Sequence, residues 1–178
     1  MIDFTIPEEA KAVRDKVRAF VQSECHPAEE TCTADNFDET MAGLRGKARA
    51  QGLWCPFIPV EHGGMGLRPL ANALVQMELG ESHLGALSLN TQGPDDATML
   101  TLLEHGTDFQ KETFLKPLLN GEKRICYSMT EKAAGADATG MQTTAVLEGD
   151  EWVLNGEKWF SSSASVADIA VVMAKTDP

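Results

Sequence analysis

The sequence is short of positive charge. It has 15 Lys and Arg against 27 Asp and Glu, a net charge of −12 and a pI near 4.7. A nucleic-acid binder normally carries a basic face, so this balance argues against that class. A phosphate-bearing small ligand stays allowed, because a local cluster of N–H donors can hold one inside an acidic protein. No run approaches the roughly 18 apolar residues of a membrane span. The N-terminus "MIDFTIPEEAKAV" has acids where a secretory signal has basic residues and then an apolar run, so a cytoplasmic protein is expected. Cys25, Cys32, Cys55 and Cys126 make no CxxC pair, which gives no support to a zinc site or redox pair and leaves buried, reduced thiols as the expectation. His26, His62, His83 and His105 are scattered and read as helix-end or loop residues, and no metal site is expected. "EHGGMGL" lacks the GxGxxG pattern and has no strand–turn–helix setting.

What is there divides by period. At 178 residues the chain can build one sizeable core or two small ones. The first two thirds read as helices. Thr5 and Glu8 suggest a capping box with Pro7 in the first turn, and Ala10, Val13, Val17, Phe20 and Val21 follow at helical spacing. A second helix starts near Asn36, carries Met41, Leu44 and Ala48 inward and stops at Gly52. Residues 54–69 form a Gly/Pro-rich loop. A third helix runs through Leu70, Leu74 and Met77. A fourth begins at Pro94-Asp95-Asp96, where the acids suit the helix dipole, and ends at His105-Gly106. A fifth has a capping box from Thr107 to Gln110 and runs to about Leu119, with Pro117 kinking or tightening its end.

After Gly121 the period becomes strand-like. Strands are expected over 125–130, 143–147, 151–154, 158–161 and 169–174, with a turn at Glu148-Gly149-Asp150 and a hairpin at Asn155-Gly156. The expected fold class is therefore α+β: an all-α domain over residues 1–121, then the start of an antiparallel β-barrel domain over 122–178. The strands present are too few to close a barrel, so the chain is expected to be part of a longer polypeptide or a truncated product.

The stretch "ICYSMTEKAAGADATG", 125–140, runs from a strand into residues with almost no side chain. Read from residue types alone, it offers backbone groups, the Thr130 hydroxyl and close approach along Ala133 to Ala138. "EKWFSSSA" adds Trp159 and Phe160 for stacking and Ser161, Ser162 and Ser163 for hydrogen bonds. A site for a flat aromatic ligand with polar edges is one reading; a long turn beside ordinary core aromatics is the other.

Several motifs in order then resemble one family. "GLWCPFIPVEHGGMGL" is similar to its "GL…P-E-x-G-G-x-G" loop, and "HGTDFQKETFLKPLLNGEKRICYSMTE" to its run into "T-E". "GDEWVLNGEKWFSS" resembles its middle domain, "NG-x-K" included. The family is the acyl-CoA dehydrogenases, and "NTQGPD" and "KWFSS" look closest to a long-chain-type branch seen in multidomain proteins. The resemblance covers the whole chain. It implies FAD as cofactor, α,β-dehydrogenation of an acyl-CoA thioester and an electron-transfer flavoprotein or similar acceptor. It also implies a homodimer or homotetramer in the complete protein. By position, Tyr127, Met129 and Thr130 would line the flavin edge, with backbone groups of the same strand reaching the pyrimidine side. Phe160, Ser161 and Ser162 occupy the family's aromatic-x-Thr triplet, with Phe160 on the flavin face. Ala136 falls where the family's serine approaches the acyl-CoA chain. Lys132 and Phe160 depart from the family's proline and tryptophan. No residue within 1–178 corresponds to the catalytic carboxylate, which is expected beyond Pro178. A non-catalytic acyl-CoA or partner-binding remnant, and an acyl-CoA oxidase or flavin monooxygenase relative, are the alternatives.

Overall fold

The structure, a computed structural model, describes residues 5–177; the outermost ends of the two expected domains lie outside the described residues. The chain divides into two compact units, Met1–Lys111 and Glu112–Pro178. The period change expected at residue 121 marks the approach to the first strand, whereas the units divide earlier, within a helix.

In the first unit, α1 (Glu8–Phe20) passes through a π-helical turn (Val21–Cys25) into α2 (His26–Thr31). Then come α3 (Phe37–Ala50), α4 (Pro69–Leu79), α5 (Gly85–Ser88), α6 (Asp95–His105) and α7 (Asp108–Gln110). The expected faces of α1 and α3 are buried: Ala10, Val17 and Phe20 on one, Met41, Leu44 and Ala48 on the other. All of these but Ala10 join Val75 and Leu79 of α4, Leu53, Leu84 and Leu89 in a single apolar core. Arg18 of α1 reaches Glu78 of α4 through two hydrogen bonds, 2.9 Å and 2.6 Å. The capping box at Thr107 and Gln110 forms with both of its bonds. At α1 the expected box begins at Thr5, two residues before the observed N-cap. The N-cap position falls on Pro7, and no side chain makes a cap bond there.

The glycine-rich loop folds back on itself. Met65 N–H donates to the Cys55 carbonyl at 3.2 Å, and Leu67 N–H to that of Pro56 at 2.9 Å. Gly64 sits so close to this turn that a Cβ would lie 2.6 Å from the carbonyl carbon of Ile58. Any larger residue would therefore displace backbone.

Proline shapes the helices in a way the sequence pattern does not display. The turn Val21–Cys25 is π-helical and precedes His26-Pro27; a second π-helical turn, Lys111–Leu115, precedes Lys116-Pro117. A proline has no N–H and its ring crowds the carbonyl four residues back. Widening the preceding turn removes that conflict, so the helices continue past the proline instead of stopping.

The second unit holds α8 (Lys116–Leu119), β1 (Ile125–Ser128), β2 (Thr144–Glu148), β3 (Glu151–Asn155) and β4 (Ile169–Val172). β2 and β3 form an antiparallel hairpin in which Glu148 faces Glu151. Gly149 takes φ 63 at the first central position of this two-residue loop, as such turns require. Two strand expectations are corrected. β1 pairs with β4 in parallel, Ile125 opposite Ile169, so the sheet elements are not all antiparallel. No strand forms over 158–161, and Asn155-Gly156 closes no hairpin among the described residues. Gly156 has a different task. A Cβ there would lie against the Thr143 hydroxyl and 2.6 Å from its Cβ. The glycine lets two segments cross at backbone distance.

Candidate functional site

Ile125, Cys126 and Ser128 of β1 are buried, which turns Tyr127 out of the unit; Met129 is exposed and Thr130 half-buried just beyond the strand. Segment 158–161 lies beside that strand end without joining it as a strand. Trp159 N–H donates to the Thr130 carbonyl at 2.8 Å. The Ser161 and Ser128 hydroxyls share a hydrogen bond of 2.7 Å. The Lys158 ammonium donates to the Met129 carbonyl at 2.9 Å and to the Glu131 carboxylate at 2.8 Å.

Past these anchors the backbone turns sharply. Ser162 N–H donates back to the Phe160 carbonyl at 2.7 Å, a three-residue turn. Phe160 takes φ 56 and Ser163 φ 68. Left-handed backbone is costly for a bulky side chain and tends to persist where its surroundings and a function require it. Phe160 is 79% exposed. Trp159 meets it edge-on with centroids 5.9 Å apart, and the Lys132 ammonium stands 5.9 Å from the Trp159 ring centroid.

Beneath this surface lies Glu131. Its side chain is 5% exposed and that of Lys158 10%. Besides Lys158, the carboxylate accepts from the N–H groups of Gln142 and of Thr143. These donors, Lys158 foremost, hold the Glu131 carboxyl down at about 2, against an ordinary 4.5. The adjoining loop is ordered by its own acid. Asp137 accepts from the N–H and hydroxyl of Thr139, at 3.0 Å and 2.6 Å, and its carboxyl is lowered chiefly by that hydroxyl. Ala136 is exposed on this loop.

The structure thus brings the Met129 and Thr130 backbone together with Ser161, and leaves the side chains of Tyr127, Met129, Phe160 and Ser162 at the surface. The carbonyls of Ser128, Met129 and Thr130 already accept from Met173 N–H, Lys158 and Trp159 N–H. The Thr130 hydroxyl makes no hydrogen bond among the described residues. One unpartnered hydroxyl beside several apolar faces suits a flat heteroaromatic ligand. Among the described residues no group of His, Cys, Asp and Glu is placed to hold a metal ion.

The sequence gives Glu131 and Lys158 no evident role, although both stand in the motifs "T-E" and "NG-x-K". No local pattern joins the two, since they are brought together only by the fold.

Comparison with known proteins agrees with this architecture. Residues 7–122 match the acyl-CoA dehydrogenase N-terminal domain, and residues 126–178 its middle domain. The short-chain-specific acyl-CoA dehydrogenase of Clostridium acetobutylicum is 36% identical over 177 residues, covering 99% of this chain and 46% of that protein. The 3-(aryl)acrylate reductase of Clostridium sporogenes is 34% identical, covering 96% and 44%. Among solved structures, a Mycobacterium abscessus protein assigned to the acyl-CoA dehydrogenases superposes with a TM-score of 0.89 at 34% identity, covering 98% of this chain and 48% of that one. A glutaryl-CoA dehydrogenase of Mycobacterium smegmatis in complex with FADH2 gives a TM-score of 0.74 at 27% identity, covering 97% and 44%. The chain spans about half the length of the relatives it matches. With both domain matches in order and a fold to suit them, the chain belongs to the acyl-CoA dehydrogenase family.

Proposed function

We propose that the protein binds FAD at the end of β1 and takes part in the α,β-dehydrogenation of an acyl-CoA thioester. The observation that carries this reading is the Thr130 hydroxyl. It is left unpartnered beside outward Tyr127 and Met129, while its own carbonyl holds the segment that presents Phe160. Thr130 would donate to a polar edge of the flavin ring, and Ser162 would offer its hydroxyl nearby. Phe160 would cover a ring face, excluding water and adding stacking contact. Bound FAD would supply the two-electron acceptor that the amino-acid side chains lack. Ala136, on the exposed loop, would border the acyl-CoA chain, where a small side chain leaves room. Residues 122–178 would form the flavin-facing domain and residues 1–121 the helical domain.

The same reading includes an electron-transfer flavoprotein or similar acceptor, a homodimer or homotetramer, and a reducing, cytoplasmic setting. The four free cysteines suit that setting. The test is to titrate the purified protein with FAD and follow flavin fluorescence, then add acyl-CoA without oxygen. The expected result is saturable binding, with bleaching of the visible flavin band only in a protein that also carries the carboxylate expected outside residues 1–178. Binding no stronger than to an unrelated acidic protein would overturn the reading.

A further inference from the structure

Around the end of β1, the groups that hold the backbone and the groups left facing outward come from different positions. The strand side uses the Ser128 hydroxyl, the Met129 and Thr130 carbonyls and the Glu131 carboxylate to bind the neighbouring segment. The neighbouring segment uses the Lys158 ammonium, the Trp159 N–H and the Ser161 hydroxyl. What remains outward is Tyr127, Met129 and the Thr130 hydroxyl on one side, and Phe160 and Ser162 on the other.

Of these anchors, Lys158 reaches two places at once, the Met129 carbonyl and the Glu131 carboxylate. Glu131 in turn fixes the N–H groups of Gln142 and Thr143, where the chain enters β2. Three stretches distant in sequence therefore meet on one buried ion pair. Substituting either member leaves the other buried and unpaired, which is the costly way to break such a contact.

We propose that Glu131 and Lys158 are positioning residues that lock segment 158–162 against the end of β1, so that Thr130 and Phe160 are presented to the same ligand. The proposal rests on the flavin reading above for the identity of the ligand, but not for the lock. Neither residue touches the outward groups' proposed partner. Both act through the backbone of Met129, Thr130 and Trp159.

The test uses the purified protein with Lys158→Met, Glu131→Gln and the double variant, each measured twice. Without flavin, amide hydrogen exchange reads the lock directly. Lys158→Met is expected to raise exchange over 157–163 and 142–143 by about tenfold or more while β2–β3 keeps its protection. With FAD, Lys158→Met is expected to weaken binding by about tenfold and to shift the visible circular dichroism of the bound flavin. The double variant, with no unpaired charge, is expected to recover part of both. Unchanged exchange over 157–163 in Lys158→Met would overturn the lock. So would a loss of protection spread evenly over β1 to β4, which would make the pair a general stabiliser. Failure of the unsubstituted protein to bind FAD would overturn the flavin reading alone, since the exchange measurement still decides the lock.

Discussion

At Thr130 the backbone and the side chain have separate commitments. The carbonyl accepts from Trp159 N–H, while the hydroxyl has no partner among the described residues. Thr130→Val exchanges only the hydroxyl for a methyl. Its expected effect on folding is small, within about 0.5 kcal/mol. Its expected effect on FAD binding is larger, a loss of about 1–3 kcal/mol if the flavin edge is left without a donor. Urea unfolding and a flavin titration on the same sample separate the two; an unchanged affinity removes Thr130 from the site. Gly156 poses the opposite case, a residue needed for its absence of bulk. Gly156→Ala places a Cβ 2.7 Å from the Thr143 Cα, so backbone must shift. A destabilisation of about 1–3 kcal/mol is expected from the overpacking, read as a lower urea midpoint. Truncating Thr143 should not fully rescue it, because the conflict reaches main-chain atoms.

Among elements, the segment after β3 is expected to loosen in acid, because its anchor Lys158 is held by Glu131. The Glu131 carboxyl sits at about 2 in the folded protein and near 4.5 when free of its partners. Its contribution is therefore complete above about pH 4.5 and is lost as pH falls toward 2, because the unfolded form takes up the proton first. Tryptophan fluorescence followed through that window should show a transition that Glu131→Gln lacks. Asp137→Asn is the control, since Asp137 is also held low, by Thr139. A wild-type signal identical to that of Glu131→Gln would remove the pair from the segment's stability.

The elements also differ in how much of them the sequence displays. α3 and α6 are legible because local signals bracket them: Asn36 and Gly52 for one, Pro94 and Gly106 for the other. The short helices α2 and α5 are not, since neither is long enough to show a period. Asn155-Gly156 misled because its composition is that of a turn, whereas Gly156 is required by Thr143 from a distant stretch. The parallel pairing of β1 with β4 and the contact of Glu131 with Lys158 are likewise long-range, and no local pattern encodes them. From the sequence the candidate site is a list of expected residues. The way its two halves are held together is not legible there.

For the whole molecule, each compact unit carries its own burial. The first rests on one cluster in which Val17, Phe20, Leu53, Val75, Leu79 and Leu89 are at most 1% exposed. Phe20→Ala should cost about 3–5 kcal/mol, because a well-packed interior refills a ring-sized void only partly. Thermal unfolding would read it, and a loss below about 1 kcal/mol would mean that the core collapses readily around the gap. The same packing decides the chemistry of sulfur. Cys25, Cys55 and Cys126 are buried, and burial pushes the Cys25 thiol up and the Cys55 thiol to about 11, leaving almost no reactive thiolate at neutral pH. Cys32 is the half-exposed member of the four. A maleimide dye added to the native protein should therefore load at a single address, giving a fixed optical reporter without any engineered cysteine.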